Sequence, residues 1–148
     1  MVKRKYYLAH PLDLREETRE EELRTEEETG IELLNPFYDT KRRDIVDIDK
    51  GKIDRDSIKL NSDDVVESDL RGVHATKGTV GIIRRGTYSI GTICECWETL
   101  RSTRHPIFII SSDSLGHVWV RYLIKHSGGM GFDSWDSFRA WLKTSEEE

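Results

Sequence analysis

The sequence has little cysteine and no long hydrophobic run. Its 148 residues include only two cysteines, Cys94 and Cys96, and their spacing suits neither a disulfide framework nor a four-ligand zinc site. The longest apolar stretches, such as 107–110, fall far short of the ~20 residues that a membrane-spanning helix needs. The basic N-terminus is not followed by the apolar segment of a signal peptide. We therefore expect a cytoplasmic protein with free thiols, no metal or other cofactor, and no membrane partner.

Common phosphate-binding and nucleophile motifs are also missing. The sequence contains no G-x-x-x-x-G-K-[ST] and no G-x-G-x-x-G between a strand and a helix, which argues against a P-loop kinase and a dinucleotide-dependent enzyme. It has no G-x-S-x-G nucleophile elbow either. The basic residues between 41 and 59 are interleaved with aspartates. Their local field nearly cancels, so we do not expect nucleic-acid binding.

The net charge of −5 comes from two acidic segments. Residues 15–29 hold eight Glu against three Arg, and three more Glu end the chain. Without these two segments the remaining residues are mildly basic. This balance permits an anionic small ligand without requiring one.

What the sequence does contain is an alternation of short apolar segments with charged or amphipathic ones. The patterns predict strands at 5–9, 31–37, 79–83 and 106–110, and helices at 14–29, 61–73, 92–104, 115–126 and 134–143. This order predicts an α/β fold, a three-layer parallel-sheet sandwich of the Rossmann-like or flavodoxin-like kind, in a single domain over residues 1–148. We expect an irregular insertion at 38–58, a turn at the glycine cluster 128–131, and a frayed acidic tail at 144–148.

The loops after the strands are the expected place for chemistry, because ligands bind outside the carboxyl ends of parallel strands. The loop at 84–91 leads into Thr92-x-x-Glu95 at the predicted helix start. This spacing fits a capping box, in which Thr92 and Glu95 satisfy the backbone at the helix end. It equally fits a carboxylate that the helix dipole and free amides keep ionised, and that acts as a nucleophile.

Four features occur in order along residues 5–128. They are the apolar strand at 6–9, Asp69-Leu70 late in a helix, Gly91-Thr92-x-x-Glu95, and the strand at 106–109. In addition, Ser89 follows Asp69 by 20 residues, and Glu95 follows Ser89 by six. Together these features resemble the nucleoside 2-deoxyribosyltransferases and the related deoxynucleoside 5′-monophosphate N-glycosidases.

The resemblance implies that Glu95 attacks C1′ of a 2-deoxyribose. The base then leaves, and a second base or water resolves the deoxyribosyl ester, as in a retaining glycosidase. It implies that Tyr7 donates its phenol to Glu95, and that Asp69 is either the proton donor or the anchor of the leaving base. It also implies a homo-oligomer of two or more subunits with shared active sites.

Ser89 departs from the pattern of the deoxyribosyltransferases, which have Asp at this position. The N-glycosidases have Ser there. An Asp would repel a phosphate, so Ser89 favours a 5′-monophosphate substrate and its hydrolysis. Nearby Arg84 or Arg85 would complete an anion site at a helix N-terminus. The other residues expected to bind the substrate are Thr87, Gly91, Ala9 and His10.

The alternative interpretation is a nucleotide-binding or sensor module of the same fold that does not turn its ligand over. Trp97 and Trp119 are interpreted as core residues rather than as groups that stack on a base. Cys94 and Cys96, which flank Glu95, are interpreted as packing residues.

Overall fold

A parallel sheet organises the structure, a computed structural model that describes residues 4–39, 42, 60–87 and 89–145. Its strands are β1 (Lys5–Ala9), β2 (Glu32–Leu34), β3 (Thr79–Ile82), β4 (Ile107–Ile110) and β5 (Met130–Phe132). Every pairing is parallel, and the order across the sheet is β2-β1-β3-β4-β5. The chain adds β2 on one side of β1 and all later strands on the other. The strand order therefore reverses between β1 and β3, where open α/β sheets bind their ligands.

Helices cover both faces of this sheet. They are α1 (Arg15–Thr29), α2 (Ser62–His74), α3 (Ile90–Glu98), α4 (Val118–Ser127) and α5 (Trp135–Ser145). Helices α1 and α5 pack on one face, and α2, α3 and α4 pack on the other. This confirms the predicted single-domain, three-layer α/β sandwich. None of the helices within the described ranges has both the length and the apolar character needed to cross a bilayer.

Strand β1 sends alternate side chains to the two faces. Tyr6 and Leu8 join the core under α1 and α5, whereas Tyr7 and Ala9 join a cluster with Val73 of α2. All four strand residues are buried, as expected for a central parallel strand covered on both sides. The period of two therefore brings Tyr7 to the face that carries α3.

The prediction missed β5. The glycine cluster was expected to form a turn, and Gly128 does end α4 with a left-handed φ of 72°. The next residues, however, form a strand that pairs with β4. A Cβ at Gly129 would lie 1.8 Å from the Ile107 carbonyl oxygen, so the glycine allows the chain to enter the sheet beside its neighbour.

Several predicted boundaries also differ. Helix α3 begins at Ile90 rather than at 92, and α5 continues to Ser145, so the expected tail at 144–148 was placed too early. Asn61 caps α2, since its side chain accepts a hydrogen bond from the Asp64 amide. Of the expected insertion, Tyr38 ends a short 3-10 turn, and most of 38–58 lies outside the described residues.

Candidate active site

A cavity of about 290 Å³ opens at the carboxyl end of β1. It is bounded by the turn after β1, the 3-10 turn after β2, helix α2 and the first two turns of α3. The residues predicted for the site that line it are Ala9, His10, Asp69, Gly91 and Glu95. These five residues come from three separate segments, which meet at the switch point of the sheet.

Glu95 lies in the second turn of α3 and is 9% exposed. A helical side chain leans toward the helix N-terminus, and a Cβ built on Gly91 would be 3.5 Å from Glu95 Oε1. The residue before the helix is Ser89, which makes no side-chain capping bond. The capping-box interpretation is therefore wrong, because Thr92 and Glu95 lie inside the helix. The expected first-turn position is wrong too, so the helix dipole acts on Glu95 less than predicted.

Tyr7 lies behind the cavity, fully buried beneath Glu95 and Asp69. Burial first, and then the charges of Glu95 and Asp69 and hydrogen bonding to Glu95, raise the pKa of Tyr7 well above its usual value. The Tyr7 hydroxyl makes no hydrogen bond of standard geometry within the described part of the chain, so the phenol is near Glu95 without being aligned to it. Tyr7 therefore remains a neutral donor at physiological pH.

The ring of Tyr7 is held by a glycine of α2. A Cβ at Gly72 would lie 2.9 Å from Tyr7 Cε1, closer than carbon atoms approach without displacement. Gly72 therefore allows α2 to pack directly on the ring. Nothing in the sequence pattern of α2 predicted this contact.

Asp69 faces the cavity from α2 and is 5% exposed. Arg42 Nη1 donates to Asp69 Oδ1 at 2.6 Å, and Arg42 Nη2 donates to the Val65 carbonyl oxygen at 3.4 Å. Both side chains of this ion pair are largely buried. Sequence analysis missed Arg42, because one arginine among interleaved charges carries no signal that it pairs with a residue 27 positions away.

His10 directly follows β1 and is buried against Phe37, with ring centroids 4.7 Å apart. Its Nδ1 lies 2.9 Å from the Pro11 carbonyl oxygen, and its Nε2 lies 3.2 Å from Asn35 Oδ1. The Asn35 amide nitrogen donates to Glu22 Oε1 at 2.6 Å. A polar chain therefore runs from the cavity wall into α1. The sequence predicted His10 for the site, but neither of the two residues behind it.

The residues predicted to hold a phosphate are not drawn together as a group. The Thr87 hydroxyl donates to the Arg84 carbonyl oxygen at 2.7 Å and closes its own turn. The Arg84 guanidinium donates to both oxygens of Glu17, at 2.8 and 2.9 Å, and so is directed toward α1. Arg85 is exposed. Ser89 is half-buried next to the cavity mouth, at the start of α3. The expected contribution of Arg84 to an anion site is thus not seen.

The outer edge of α3 carries exposed apolar side chains. Ile90, at the cavity mouth, is 60% exposed, and Trp97 is 38% exposed. The Trp97 ring lies 5.9 Å from that of Trp119 and 6.4 Å from that of Tyr122, both on α4. We call Trp97, Trp119 and Tyr122 the aromatic patch. The expectation that Trp97 and Trp119 are core residues is wrong, since Trp119 is 54% exposed.

The two cysteines differ in environment, although both are free thiols. Cys94 is exposed, whereas Cys96 is fully buried, and burial raises the pKa of the Cys96 thiol far above its usual value. Cys96 is therefore an unreactive packing residue. Across the described ranges, no three His, Cys, Asp or Glu side chains are grouped as metal ligands would be.

Comparison with known proteins supports the fold. No model of a known family matches the chain, and no curated protein matches it. A crystal structure from Enterococcus faecalis V583, described as that of a conserved protein, superposes with a TM-score of 0.69 at 17% identity. The match covers 97% of this chain and 99% of that one. At this identity the likeness establishes the α/β fold of the domain and nothing finer.

Proposed function

We propose that this protein cleaves the N-glycosidic bond of 2′-deoxynucleosides or their 5′-monophosphates, through a covalent deoxyribosyl ester on Glu95. The observation that carries the proposal is a largely buried carboxylate, Glu95, that lines the cavity at the switch point with the phenol of Tyr7 beside it. The residues that resemble the deoxyribosyltransferase signature provide this carboxylate. An overall likeness of fold would not support the proposal by itself.

In the first step, a carboxylate oxygen of Glu95 forms a bond to C1′ while the bond from C1′ to the base nitrogen breaks. The base takes the bonding electrons and accepts a proton. The transition state resembles an oxocarbenium ion, which the negative carboxylate stabilises electrostatically. A sugar without a 2′-hydroxyl forms this cation more easily. In the second step, water or another base attacks C1′ and the bond from C1′ to Glu95 breaks, which releases Glu95 as a carboxylate. The attacking group loses a proton to solvent, and this proton balances the one that the leaving base accepted.

Tyr7 and Asp69 support this chemistry from either side of Glu95. The neutral phenol of Tyr7 orients the carboxylate and stays a donor, because its pKa is raised. Of the two roles expected for Asp69, proton donor or anchor of the base, its ion pair with Arg42 favours the anchor, because a carboxylate paired with a cation is a hydrogen-bond acceptor. We therefore assign Asp69 to holding the leaving base.

Ser89 and Gly91 favour a 5′-monophosphate, hydrolysed by water, as the substrate. Both lie in the start of α3, where backbone amides and the helix dipole attract an anion. Ser89 provides a hydroxyl rather than a carboxylate at this position, so its side chain adds no negative charge that would repel a phosphate. Thr87 contributes to the shape of the loop through its bond to Arg84.

A homo-oligomer with shared active sites forms part of the same proposal. The exposed edge of α3 begins with Ile90 in the cavity mouth and continues to the aromatic patch. Burial of these side chains against a second subunit would bring that subunit to the cavity. Free thiols on the same helix fit a reducing, cytoplasmic location.

The test is chromatographic. The purified protein is incubated with each 2′-deoxynucleoside and each 5′-monophosphate, with and without added free base. We expect base release from monophosphates, and an acid-quenched protein whose mass increases by one 5-phospho-2-deoxyribosyl group. A new deoxynucleoside that forms only with added base would instead identify a transferase.

Glu95→Gln and Glu98→Gln form a matched pair for this assay. Both residues lie on α3, but Glu98 contacts His74 outside the cavity. Loss of turnover and of the covalent adduct in Glu95→Gln alone supports the proposal. Nucleotide binding without turnover in the unaltered protein would refute it in favour of the binding module.

A further inference from the structure

The side-chain amide of Asn35 has only one orientation that fits its neighbours. The backbone N–H of Phe37 points at one end of the amide, 3.0 Å away. A backbone N–H can only donate, so this end is the carbonyl oxygen, Oδ1. The other end lies 2.6 Å from Glu22 Oε1 and is therefore the NH₂ group. A flipped amide would place two donors against each other at Phe37.

This orientation determines where His10 carries its protons. Asn35 Oδ1 cannot donate, so His10 Nε2 must donate in order to bond at 3.2 Å. The Pro11 carbonyl oxygen cannot donate either, so Nδ1 must also donate, at 2.9 Å. A neutral imidazole has a single N–H and would turn a bare nitrogen lone pair toward one of these oxygens. Both contacts are satisfied only when both ring nitrogens of His10 are protonated.

A buried carboxylate, that of Glu22, contacts Asn35 on the side away from His10. Glu22 is fully buried on α1, and its Oε2 accepts no hydrogen bond within the described part of the chain. Arg19 Nη1 lies 3.3 Å from Glu22 Oε1. Burial is the main cause that raises the pKa of Glu22 to about 7. The hydrogen bond from Asn35 and the charge of Arg19 lower this pKa, and the charge of Glu26 raises it. At pH 8 Glu22 is therefore mainly ionised.

The cavity side of His10 also carries carboxyl groups. Asp13 follows in the turn after β1, Asp69 faces the cavity from α2, and Glu95 faces it from α3. A cation at His10 is thus surrounded by acceptors, and it is the one basic side chain among the described residues that line this cavity.

We propose that Glu22, acting through Asn35, holds His10 as a doubly protonated imidazolium in the cavity wall, where it binds the anionic group of the ligand. Glu22 is a positioning residue, because it does not line the cavity and is connected to His10 only through Asn35. The proposal rests on the proposed function in one respect, namely that the anionic group is a 5′-phosphate. The protonation state of His10 does not depend on catalysis at all.

The decisive experiment is NMR spectroscopy of the full chain with ¹⁵N-labelled histidine at pH 8. The His10 signals are assigned by through-bond correlation and by their loss in His10→Asn. We expect both His10 ring nitrogens to be protonated, although an unperturbed histidine, with a pKa of about 6.5, is neutral at this pH. A neutral His10 in the unaltered protein would overturn the proposal, whether or not any variant folds.

Glu22→Gln tests the source of the charge, and Glu27→Gln, an exposed position on the same helix, is its control. We expect His10 to lose one proton at pH 8 in Glu22→Gln and to keep both in Glu27→Gln. An imidazolium that persists in folded Glu22→Gln would contradict the role of Glu22.

Inorganic phosphate then probes the ligand class. Its addition at pH 8 should shift the His10 nitrogen signals, with an affinity about tenfold weaker in Glu22→Gln. Signals that do not respond to phosphate would refute the anion-binding part. Because no turnover is measured, a protein that binds phosphate through His10 but cleaves no nucleotide would refute the proposed reaction alone.

Discussion

Replacing Glu22 by Gln should change how the stability of this protein depends on pH. Glu22 is fully buried, and burial raises its pKa from 4.5 to about 7 in the folded state. Between these two values the folded state binds a proton that the unfolded state has released. Stability therefore falls as pH rises through this range, and it is highest below the unfolded pKa.

The size of the effect follows from the shift. A difference of about 2.5 pKa units, at about 1.4 kcal/mol each, corresponds to roughly 3 kcal/mol for a buried group. Glu22→Gln keeps an acceptor for the Asn35 amide and has no proton to release. Its free energy of unfolding, minus that of the unaltered protein, should increase by at least about 3 kcal/mol from pH 4 to pH 8, because the proton that His10 loses in the variant adds to the difference with the same sign. Any packing cost of the new amide is the same at each pH and cancels.

Urea unfolding at several pH values, followed by far-UV circular dichroism, measures this difference. Glu27→Gln, which replaces an exposed carboxylate on the same helix, should run parallel to the unaltered protein. A Glu22→Gln difference that stays constant from pH 4 to pH 8 would mean that Glu22 titrates as an ordinary surface carboxylate. The raised pKa of Glu22 in the folded state would then be refuted.

Three further substitutions test the packing and the charges around the cavity. Gly72→Ala should cost about 1–3 kcal/mol in urea unfolding and lower kcat by displacing the Tyr7 ring, whose Cε1 lies 2.9 Å from the added Cβ; an unchanged kcat would separate Tyr7 from catalysis. Arg42→Met should lower the free energy of unfolding by roughly 3 kcal/mol, because it leaves Asp69 buried without its cation; a change near zero would show that the pair contributes little. Ser89→Asp should raise KM for 5′-monophosphates by at least about tenfold and leave KM for deoxynucleosides nearly unchanged, and equal effects on both would exclude the phosphate role.

The order of elements was predictable because it depends on local patterns. Four strands show as short apolar runs, and the glycine after α1 does take the left-handed conformation expected at a helix end, with φ of 77°. Strand β5 was missed because it has three residues, two of them exposed. Its place is decided by the close approach of Gly129 to the Ile107 carbonyl oxygen, which is a contact between distant segments.

The start of α3 shows how the same spacing can mislead about mechanism while still pointing to the site. Thr92-x-x-Glu95 resembles a capping box only if the helix begins at Thr92. Because the helix begins at Ile90, Glu95 moves to the second turn, and its side chain leans toward Gly91 and the cavity. The motif therefore predicted a carboxylate that does line the cavity, whereas the electrostatic reason given for it depended on a helix boundary that was wrong by two residues.

The residues that line the cavity could be predicted from the sequence, whereas the residues that contact them from behind could not. Glu95, Asp69 and His10 lie in recognisable patterns or at strand ends, so sequence spacing marks them. Their partners come from elsewhere in the chain: Arg42 is 27 positions from Asp69, and Asn35 is 25 positions from His10. A buried acid such as Glu22, in a helix with eight glutamates, is indistinguishable by sequence from its exposed neighbours. Glu22 differs from them only because α1 packs against the sheet and buries it. For this reason we expect its replacement by the uncharged Gln to change the protonation of His10 as well as the stability.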